Sequence, residues 1–153
     1  MAGEKLALVA DVTVPVAAPV DVVHAYLADP ANRPGWQSSL RRVERVEARG
    51  DHPGAEGTTW RDVTAVPGVA PLMRVEASEP PYRWVESGTW RFVRATLAMT
   101  YVERPDGGTD ARAVAHVEVP GALKPVALAL RLVAPAALRS DLRRAAKVLA
   151  RTR

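Results

Sequence analysis

The sequence predicts an α+β domain in which a curved antiparallel sheet of about six to seven strands wraps a long C-terminal helix, with two short helices after the first strand. Three observations predict it: a strand-like N-terminal segment, a run of β-like segments broken by glycine and proline, and a terminal stretch with helical periodicity. A helix of about 25 residues is roughly 38 Å long. It has to lie across the sheet to bury its apolar side, which favours a curved sheet. A single domain over residues 1–153 is expected.

The N-terminal part is predicted to contain one strand and two short helices. Apolar residues alternate along 5–14, KLALVADVTV, which is typical of a strand with one buried face, and Pro15 is expected to end it. Pro19 opens a short helix, a position that favours proline. An Asp-Pro pair at 29–30 breaks this helix. Residues 30–37 are therefore expected to form a second short helix or a turn.

Six β-like segments follow, separated by turn-forming residues. Four are short and lie at 41–48, 57–66, 70–78 and 82–87. Two are longer and lie at 90–104 and 109–119, and PDGGT between them is a strong hairpin signal. The last segment carries three alanines on one face: Ala111, Ala113 and Ala115. Because a closely packed interior tolerates few voids, either larger neighbours fill the space beside them or a cavity exists.

The final segment, 121–153, is predicted to be a long amphipathic helix. Its apolar residues recur at spacings of three and four: Val126, Leu130, Val133, Ala137, Leu138, Leu142, Ala145 and Leu149. A basic stripe faces away from them and consists of Arg139, Arg143, Lys147 and Arg151. Pro135 is expected to kink this helix or to divide it in two.

Positive charge is concentrated in that helix. Residues 121–153 hold eight basic side chains and one acidic one, a balance of +7, whereas the other 120 residues hold 13 basic and 16 acidic ones. Such a face is usually solvated, but it can also meet phosphate groups or an anionic membrane. The strands offer few aromatic residues for stacking on bases, so no nucleic-acid partner is expected.

Several kinds of protein and site are not indicated. No run of about 18 apolar residues occurs, so no integral membrane association is predicted, and the N-terminus lacks the pattern of a signal peptide. Cysteine is absent, which excludes disulfides and thiolate metal sites and fits a cytoplasmic protein. The three histidines are scattered, and no phosphate-binding or dinucleotide-binding glycine motif occurs. Neither a metal nor another cofactor is predicted.

Two motifs, together with the order of the elements, resemble a known family. The stretch 18–36, APVDVVHAYLADPANRPGW, is similar to the helix, Asp-Pro and Trp of the polyketide cyclase/dehydrase family, in the START-related (SRPBCC, helix-grip) superfamily. The stretch 75–88, VEASEPPYRWVESG, is similar to its double-proline turn, and GGT at 107–109 agrees with it. The resemblance covers nearly the whole chain. It implies a deep apolar cavity between the sheet and the long helix, in a family whose members bind or transfer lipids, sterols, hormones and polyketides and some of which close aromatic rings.

The family pattern also implies which side chains line the cavity, although bulges can reverse such assignments. On the short strands the inner face is expected to carry Thr58, Trp60, Asp62, Thr64, Met73, Val75, Ala77, Trp84 and Glu86. The expected ligand-binding residues are Trp36, Trp60, Met73, Trp84, Leu97, Met99, Ala113, Ala115 and Leu130. Trp36 is expected either to cap the cavity mouth or only to wedge the turn. A plainly packed core is the alternative to a cavity.

Four residues are candidates for catalysis: Asp62, Glu86, Arg94 and Tyr101. A carboxylate that faces an apolar cavity is costly unless it is paired, and burial raises the pKa of such a group so that it can act as a general base. Arg94 is expected to pair with this carboxylate or to hold a carbonyl group of the ligand. If the strand register differs, Arg61 or Arg74 is expected to do so instead. Tyr101 is expected to donate a hydrogen bond. The alternative is that both carboxylates lie on the solvated face of the sheet or at strand ends.

Three functions are compatible with these features. The preferred one is the binding of a hydrophobic small molecule, polyketide- or lipid-like, by a cytoplasmic protein that is a monomer or a homodimer. The second is that of an aromatase/cyclase, as in antibiotic biosynthesis, which closes a ring in a polyketide chain by aldol reaction and dehydration. Enzymatic activity is therefore compatible with the sequence but not required by it. The third is a non-enzymatic partner module that acts through the basic C-terminal helix.

Overall fold

The computed structural model describes residues 5–151, which form a seven-stranded sheet and a long C-terminal helix. The elements are β1 (Lys5–Val16), α1 (Val20–Ala28), a 3-10 turn (Pro30–Asn32), α2 (Arg33–Trp36), β2 (Leu40–Glu47), β3 (Thr59–Thr64), β4 (Leu72–Glu79), β5 (Arg83–Trp90), β6 (Val93–Glu103), β7 (Thr109–Val119), a second 3-10 turn (Gly121–Leu123) and α3 (Lys124–Arg151). The predicted α+β fold is thereby confirmed. The ends of the expected domain, 1–4 and 152–153, lie outside the described residues.

All neighbouring strands are antiparallel, in the order β1-β7-β6-β5-β4-β3-β2. The strands β1 and β2 are therefore the two edges of the sheet. The expectation that Pro15 ends the first strand was wrong, because β1 continues to Val16. A proline has no N–H to donate, and an edge strand tolerates this because one of its sides has no partner strand.

The alternation along the strands gives the inner face that the sequence predicted. Trp60 and Asp62 on β3, Met73 on β4, and Trp84 and Glu86 on β5 are all buried. The alternative that both carboxylates lie on the solvated face or at strand ends is therefore wrong. This inner face packs against α1, α2 and α3, and it determines where a site can form.

The helix α3 is buried more extensively along its second half than along its first half, where Ala127 is buried against β1 and β7. Leu142, Ala145 and Leu149 are buried in the second half, in one cluster with Val12 and Val14 of β1. The helix runs through Pro135 without being divided. Along its first half it stands over the strands β4 to β7, and a space remains between the helix and the sheet.

The stretch that contains α3, Gly121–Arg151, is long and apolar enough to cross a membrane by length and composition, and 6% of its most apolar window is buried. It does not stand out in the sequence as an uninterrupted apolar run, because Lys124 and Arg131 interrupt it. The burial differs from that of an ordinary core helix, which buries most of its apolar side chains.

Candidate functional site

A cavity of about 540 Å³ lies between the inner face of the sheet and the first half of α3, and it opens to solvent at one side. Its walls are mostly apolar. They include Met73, Ala95, Leu97 and Ala115 from the sheet and Leu130 and Ala134 from α3. A space of this size, with apolar walls and a few polar groups, is typical of small-molecule sites.

The three alanines of β7 explain where the interior is full and where it is hollow. Ala111 and Ala113 are fully buried, and their partners in the register are the large side chains of Tyr101 and Met99. Ala115 instead lines the cavity, and its neighbours are Leu97 on β6 and Ala10 on β1. Larger neighbours therefore fill the space beside Ala111 and Ala113, whereas the cavity lies beside Ala115, so each of the two alternatives holds for one part of the strand.

Three charged side chains meet at the inner end of the cavity. The guanidinium of Arg33 donates from Nη1 to Glu86 Oε2 at 2.7 Å and from Nη2 to Glu86 Oε1 at 3.3 Å. Its Nη2 also lies 3.3 Å from Asp62 Oδ2. All three residues are at most 5% exposed, and all three line the cavity. We call Arg33, Asp62 and Glu86 the charged cluster.

Tryptophan side chains hold the charged cluster in place. The guanidinium carbon of Arg33 lies 5.0 Å from the ring centre of Trp60 and 5.8 Å from that of Trp36, which is within cation–π range. Trp60 Nε1 donates to Asp62 Oδ1 at 2.8 Å. Trp84 stacks on Trp60 and donates to the carbonyl of Gly54 at 3.0 Å. These rings therefore surround the arginine and do not themselves line the cavity.

The charges in the cluster do not balance when both carboxylates are ionised. Burial raises the pKa of Glu86 above its usual range, and the nearby charge of Asp62 raises it further, whereas Arg33 opposes both effects. Attraction to the two carboxylates outweighs desolvation and raises the pKa of Arg33, which stays charged. A proton on Glu86 would make the cluster neutral, and the group is therefore suited to take up and release one.

One donor of Arg33 is left over. Its Nε has no hydrogen-bond partner among the described residues. A buried N–H without a partner is costly, and Arg33 lines the cavity. The cavity therefore has one polar end, which the side chains of the charged cluster form.

Tyr101 and His24 form a second buried polar pair, away from the cavity wall. Their rings meet edge to face at 5.7 Å. Burial, together with the charge of Glu86, raises the pKa of Tyr101, so its hydroxyl stays protonated. Burial also lowers the pKa of His24. The Tyr101 hydroxyl and His24 Nε2 lack hydrogen-bond partners within residues 5–151.

The predicted site residues separate into three groups. Those that line the cavity are Asp62, Met73, Glu86, Leu97, Ala115 and Leu130. Those that are buried beside or below it are Trp36, Trp60, Trp84, Met99, Tyr101 and Ala113. Arg94 lies elsewhere, half-exposed on the outer face, 3.6 Å from Glu76. The other expected partners do not reach the carboxylates either. Arg61 donates a hydrogen bond to the carbonyl of Ala70, and Arg74 lies near Glu76.

Sequence reasoning missed Arg33, the residue that both carboxylates bind. It lies in α2 one turn before Trp36, so the two side chains share one side of the short helix. The signal that could have identified Arg33 was its position three residues before Trp36, which places both side chains on the same side of a short helix. Arg33 was overlooked because its partners are 29 and 53 residues away in the sequence.

The raised pKa of Glu86 predicts a pH-dependent stability. Between pH 4.5 and the raised value, the folded protein holds a proton that the unfolded chain releases, so the free energy of unfolding should fall as the pH rises through this window. A pKa that is higher by one in the folded state than in the unfolded state corresponds to about 1.4 kcal/mol. The measurement is urea unfolding of wild type and Glu86→Gln over a pH series. Titration of His24 is common to both proteins and cancels in the difference.

The expected difference, wild type minus Glu86→Gln, is largest at the acidic end and decreases with increasing pH. A constant difference would show that folding leaves the pKa of Glu86 unchanged, and a difference that grows with pH would show that folding lowers it; either outcome contradicts the prediction. The matched control is Glu79→Gln, an exposed residue for which the curve should follow wild type.

Comparison with known proteins identifies related sequences and folds. The model of a family described as polyketide cyclase / dehydrase and lipid transport matches residues 8–152. No curated protein matches the chain significantly. Within residues 5–151, no group of three or more histidine, cysteine, aspartate or glutamate side chains could hold a metal ion.

Three solved structures are similar to the chain. One is the di-domain ARO/CYC StfQ from the steffimycin biosynthetic pathway, at 18% identity and a TM-score of 0.72 over 92% of this chain and 50% of that one. This chain thus spans half the length of StfQ. A protein of Thermus thermophilus aligns at 18% identity and a TM-score of 0.70 over 94% and 99% of the two chains. Norcoclaurine synthase from Thalictrum flavum aligns at 13% identity and a TM-score of 0.71, over 98% of this chain and 90% of that one. At these identities the likeness shows the fold.

Proposed function

Because the chain belongs to the polyketide cyclase / dehydrase and lipid transport family, we propose that it binds a hydrophobic small molecule, polyketide- or lipid-like, between the sheet and α3. The observation that carries this proposal is a cavity of about 540 Å³ whose walls are apolar and whose inner end is the charged cluster. Apolar walls favour a ligand by removing its surface from water.

The charged cluster supports a ligand with oxygen at one end. An apolar container alone would not need a buried arginine, since burying charge is costly even when it is paired. Arg33 lines the inner end of the cavity, and its buried Nε is a donor without a hydrogen-bond partner among the described residues. A ketone or phenolic oxygen there would satisfy it, while the remainder of the molecule lies against Leu97 and Leu130.

A cavity-filling substitution tests the proposal. Ala95 lines the cavity and is itself exposed, so it lies where the cavity opens to solvent. Ala95→Phe is expected to weaken the binding of a polycyclic phenol such as 1,8-dihydroxyanthraquinone by about tenfold or more, because about 1.4 kcal/mol of lost contact already gives that factor. Quenching of tryptophan fluorescence measures the binding, and oleate serves as the lipid-like probe.

Ala98→Phe is the matched control, because Ala98 lies on the same strand with its side chain on the opposite face. Its affinity should equal that of wild type. If neither probe binds wild type, or if both variants bind alike, the proposed cavity site is wrong.

A second candidate function is ring closure of a polyketide chain, and Glu86 favours it. Its carboxylate would take a proton from a methylene group that lies between two ketones. The resulting enolate carbon would attack a third carbonyl of the same chain, which forms the new C–C bond. Glu86 would return the proton to the alkoxide, and loss of water would complete the ring.

Arg33 takes the role in this mechanism that was expected of Arg94 and Tyr101. It lines the cavity beside Glu86, and its positive charge can stabilise the enolate oxygen. Arg94 is on the outer face, and Tyr101 is buried behind the cavity wall. Asp62 accepts from both Trp60 and Arg33, so it positions the arginine.

A further inference from the structure

The first half of α3 is apolar on its outer side as well as on its inner side. Ala127 and Leu130 on the inner side pack with residues of β1 and β7. On the outer side, Leu128 and Leu132 are 50% and 84% exposed. A helix that is apolar all round is normally buried in protein or in contact with lipid. Within residues 5–151 nothing covers this outer side.

Exposed apolar residues continue around the cavity mouth. Val133 lines the cavity on the helix side and is 60% exposed. Across the mouth, Phe92 is 74% exposed in the β5–β6 turn, between the cavity-lining residues Trp90 and Val93. We call Phe92, Leu128, Leu132 and Val133 the apolar rim. Leu128, Leu132 and Val133 follow one another along α3, and exposed apolar patches on a protein surface mark a contact with a partner or a membrane.

The second half of α3 has the opposite chemistry on its outer side. A groove of about 750 Å³ is lined there by Arg139, Arg143, Arg144, Lys147 and Arg151, and by no acidic side chain. We call it the basic groove. Its side chains form no ion pair within the described part of the chain. No acidic residue lies between Glu118 and Asp141, so the apolar half adds two cations and no anion.

We propose that the apolar rim and the basic groove together dock the protein on the surface of an anionic lipid bilayer. The two surfaces follow one another along α3, so one docked helix can present apolar side chains to the hydrocarbon boundary and basic side chains to lipid phosphates. An amphipathic helix that lies in this interface buries its apolar side by about 5–10 Å, and anionic lipids add electrostatic attraction. The cavity mouth, which the apolar rim borders, then faces the membrane.

Docking on the surface explains the structure better than crossing does. Leu142 and Leu149 hold the second half of α3 against the sheet, so only the first half offers apolar side chains to the hydrocarbon of the bilayer. That half, 124–138, is shorter than the roughly 20 apolar residues that a membrane-spanning helix needs. The apolar rim also includes Phe92, which lies in the β5–β6 turn and not on α3. This proposal goes beyond the proposed function, because it requires no ligand in the cavity.

The test is flotation of the protein with vesicles of phosphatidylcholine, with and without phosphatidylglycerol. Wild type is expected to float with the anionic vesicles and less with the neutral ones, and added salt should weaken the binding. The double variant Phe92→Asn, Leu132→Asn should bind about tenfold less or worse, since each loses buried apolar surface. Val102→Asn, at a residue 62% exposed on β6, is the matched control and should bind as wild type does.

Further measurements complete the test. Arg143→Gln with Lys147→Gln should lose the preference for phosphatidylglycerol. Neither Phe92 nor Leu132 lines the cavity, so the double variant should still bind 1,8-dihydroxyanthraquinone as wild type does, which keeps the two proposals separate. The proposal is overturned if wild type fails to bind anionic vesicles or if the double variant binds them equally well. A dimer in light scattering that the double variant abolishes, without vesicle binding, would instead make the apolar rim an interface between two copies.

Discussion

Arg33→Met is expected to lower the free energy of unfolding by about 3–5 kcal/mol, the usual cost of removing one partner from a buried ion pair. The substitution would leave Asp62 and Glu86 buried side by side without a cation. Methionine keeps the apolar stem of the side chain but lacks the guanidinium that lies against Trp36 and Trp60, so the loss includes packing as well as charge. Urea unfolding near neutral pH measures it.

A matched pair of variants separates burial from ion pairing as such. Arg112→Met removes an exposed ion pair of the same length, 2.7 Å to Asp11, and is expected to change the free energy of unfolding little. Adding Asp62→Asn and Glu86→Gln to Arg33→Met should recover part of the lost stability, since no charge is then left unpaired. Equal effects of Arg33→Met and Arg112→Met would contradict a stabilising role of the charged cluster.

If the protein closes polyketide rings, Glu86→Gln is expected to lower the rate of cyclisation by about 10²–10⁴-fold, the usual contribution of a general base. Glutamine keeps the shape of the side chain and its contact with Arg33 but cannot take up the proton. The products formed from a poly-β-ketone chain, followed by mass spectrometry over time, measure the effect. The variant should remain folded at neutral pH, because Asp62 still balances Arg33.

Asp62→Asn distinguishes the base from the residue that positions it. Asp62 is expected to matter less for the rate, since its oxygens accept from Trp60 and Arg33. Wild-type products at wild-type rate from Glu86→Gln would exclude ring closure by this residue, and the binding proposal would stand unchanged. Loss of binding of 1,8-dihydroxyanthraquinone in the same variant would instead show that Glu86 is needed for binding rather than for chemistry.

The cavity-facing carboxylates illustrate what alternation along a strand can determine. Asp62 and Glu86 were assigned to the inner face because side chains on a strand alternate between its two faces and the family pattern implied which face is the inner one. Both are buried as the alternation indicates. The same reasoning predicted a partner that the structure does not use, since Arg94 lies on the outer face of β6. Alternation gives the face of one strand, but it does not show which distant side chain reaches it.

The tryptophans illustrate a second limit of prediction from alternation along a strand. Trp36, Trp60 and Trp84 were expected to line the cavity, and all three are instead buried around Arg33 or beneath it. An aromatic residue on the inner face of a sheet can either line a cavity or fill the space where a cavity would be. The choice depends on how closely the helix approaches at that depth. At Ala113 the space is filled, and at Ala115 it is open.

The sequence by itself determined the order of the elements, because this order follows from periodicity and turn residues that act over a few neighbouring positions. The family followed from the resemblance of its motifs, and the inner face of the strands from that resemblance together with the alternation along each strand. Only the tertiary structure decided that Arg33 joins Asp62 and Glu86, where the cavity begins, and that half of α3 leaves its apolar side uncovered. Each of these depends on contacts between segments far apart in the chain, and their distances are set by the packing of the whole sheet against one helix.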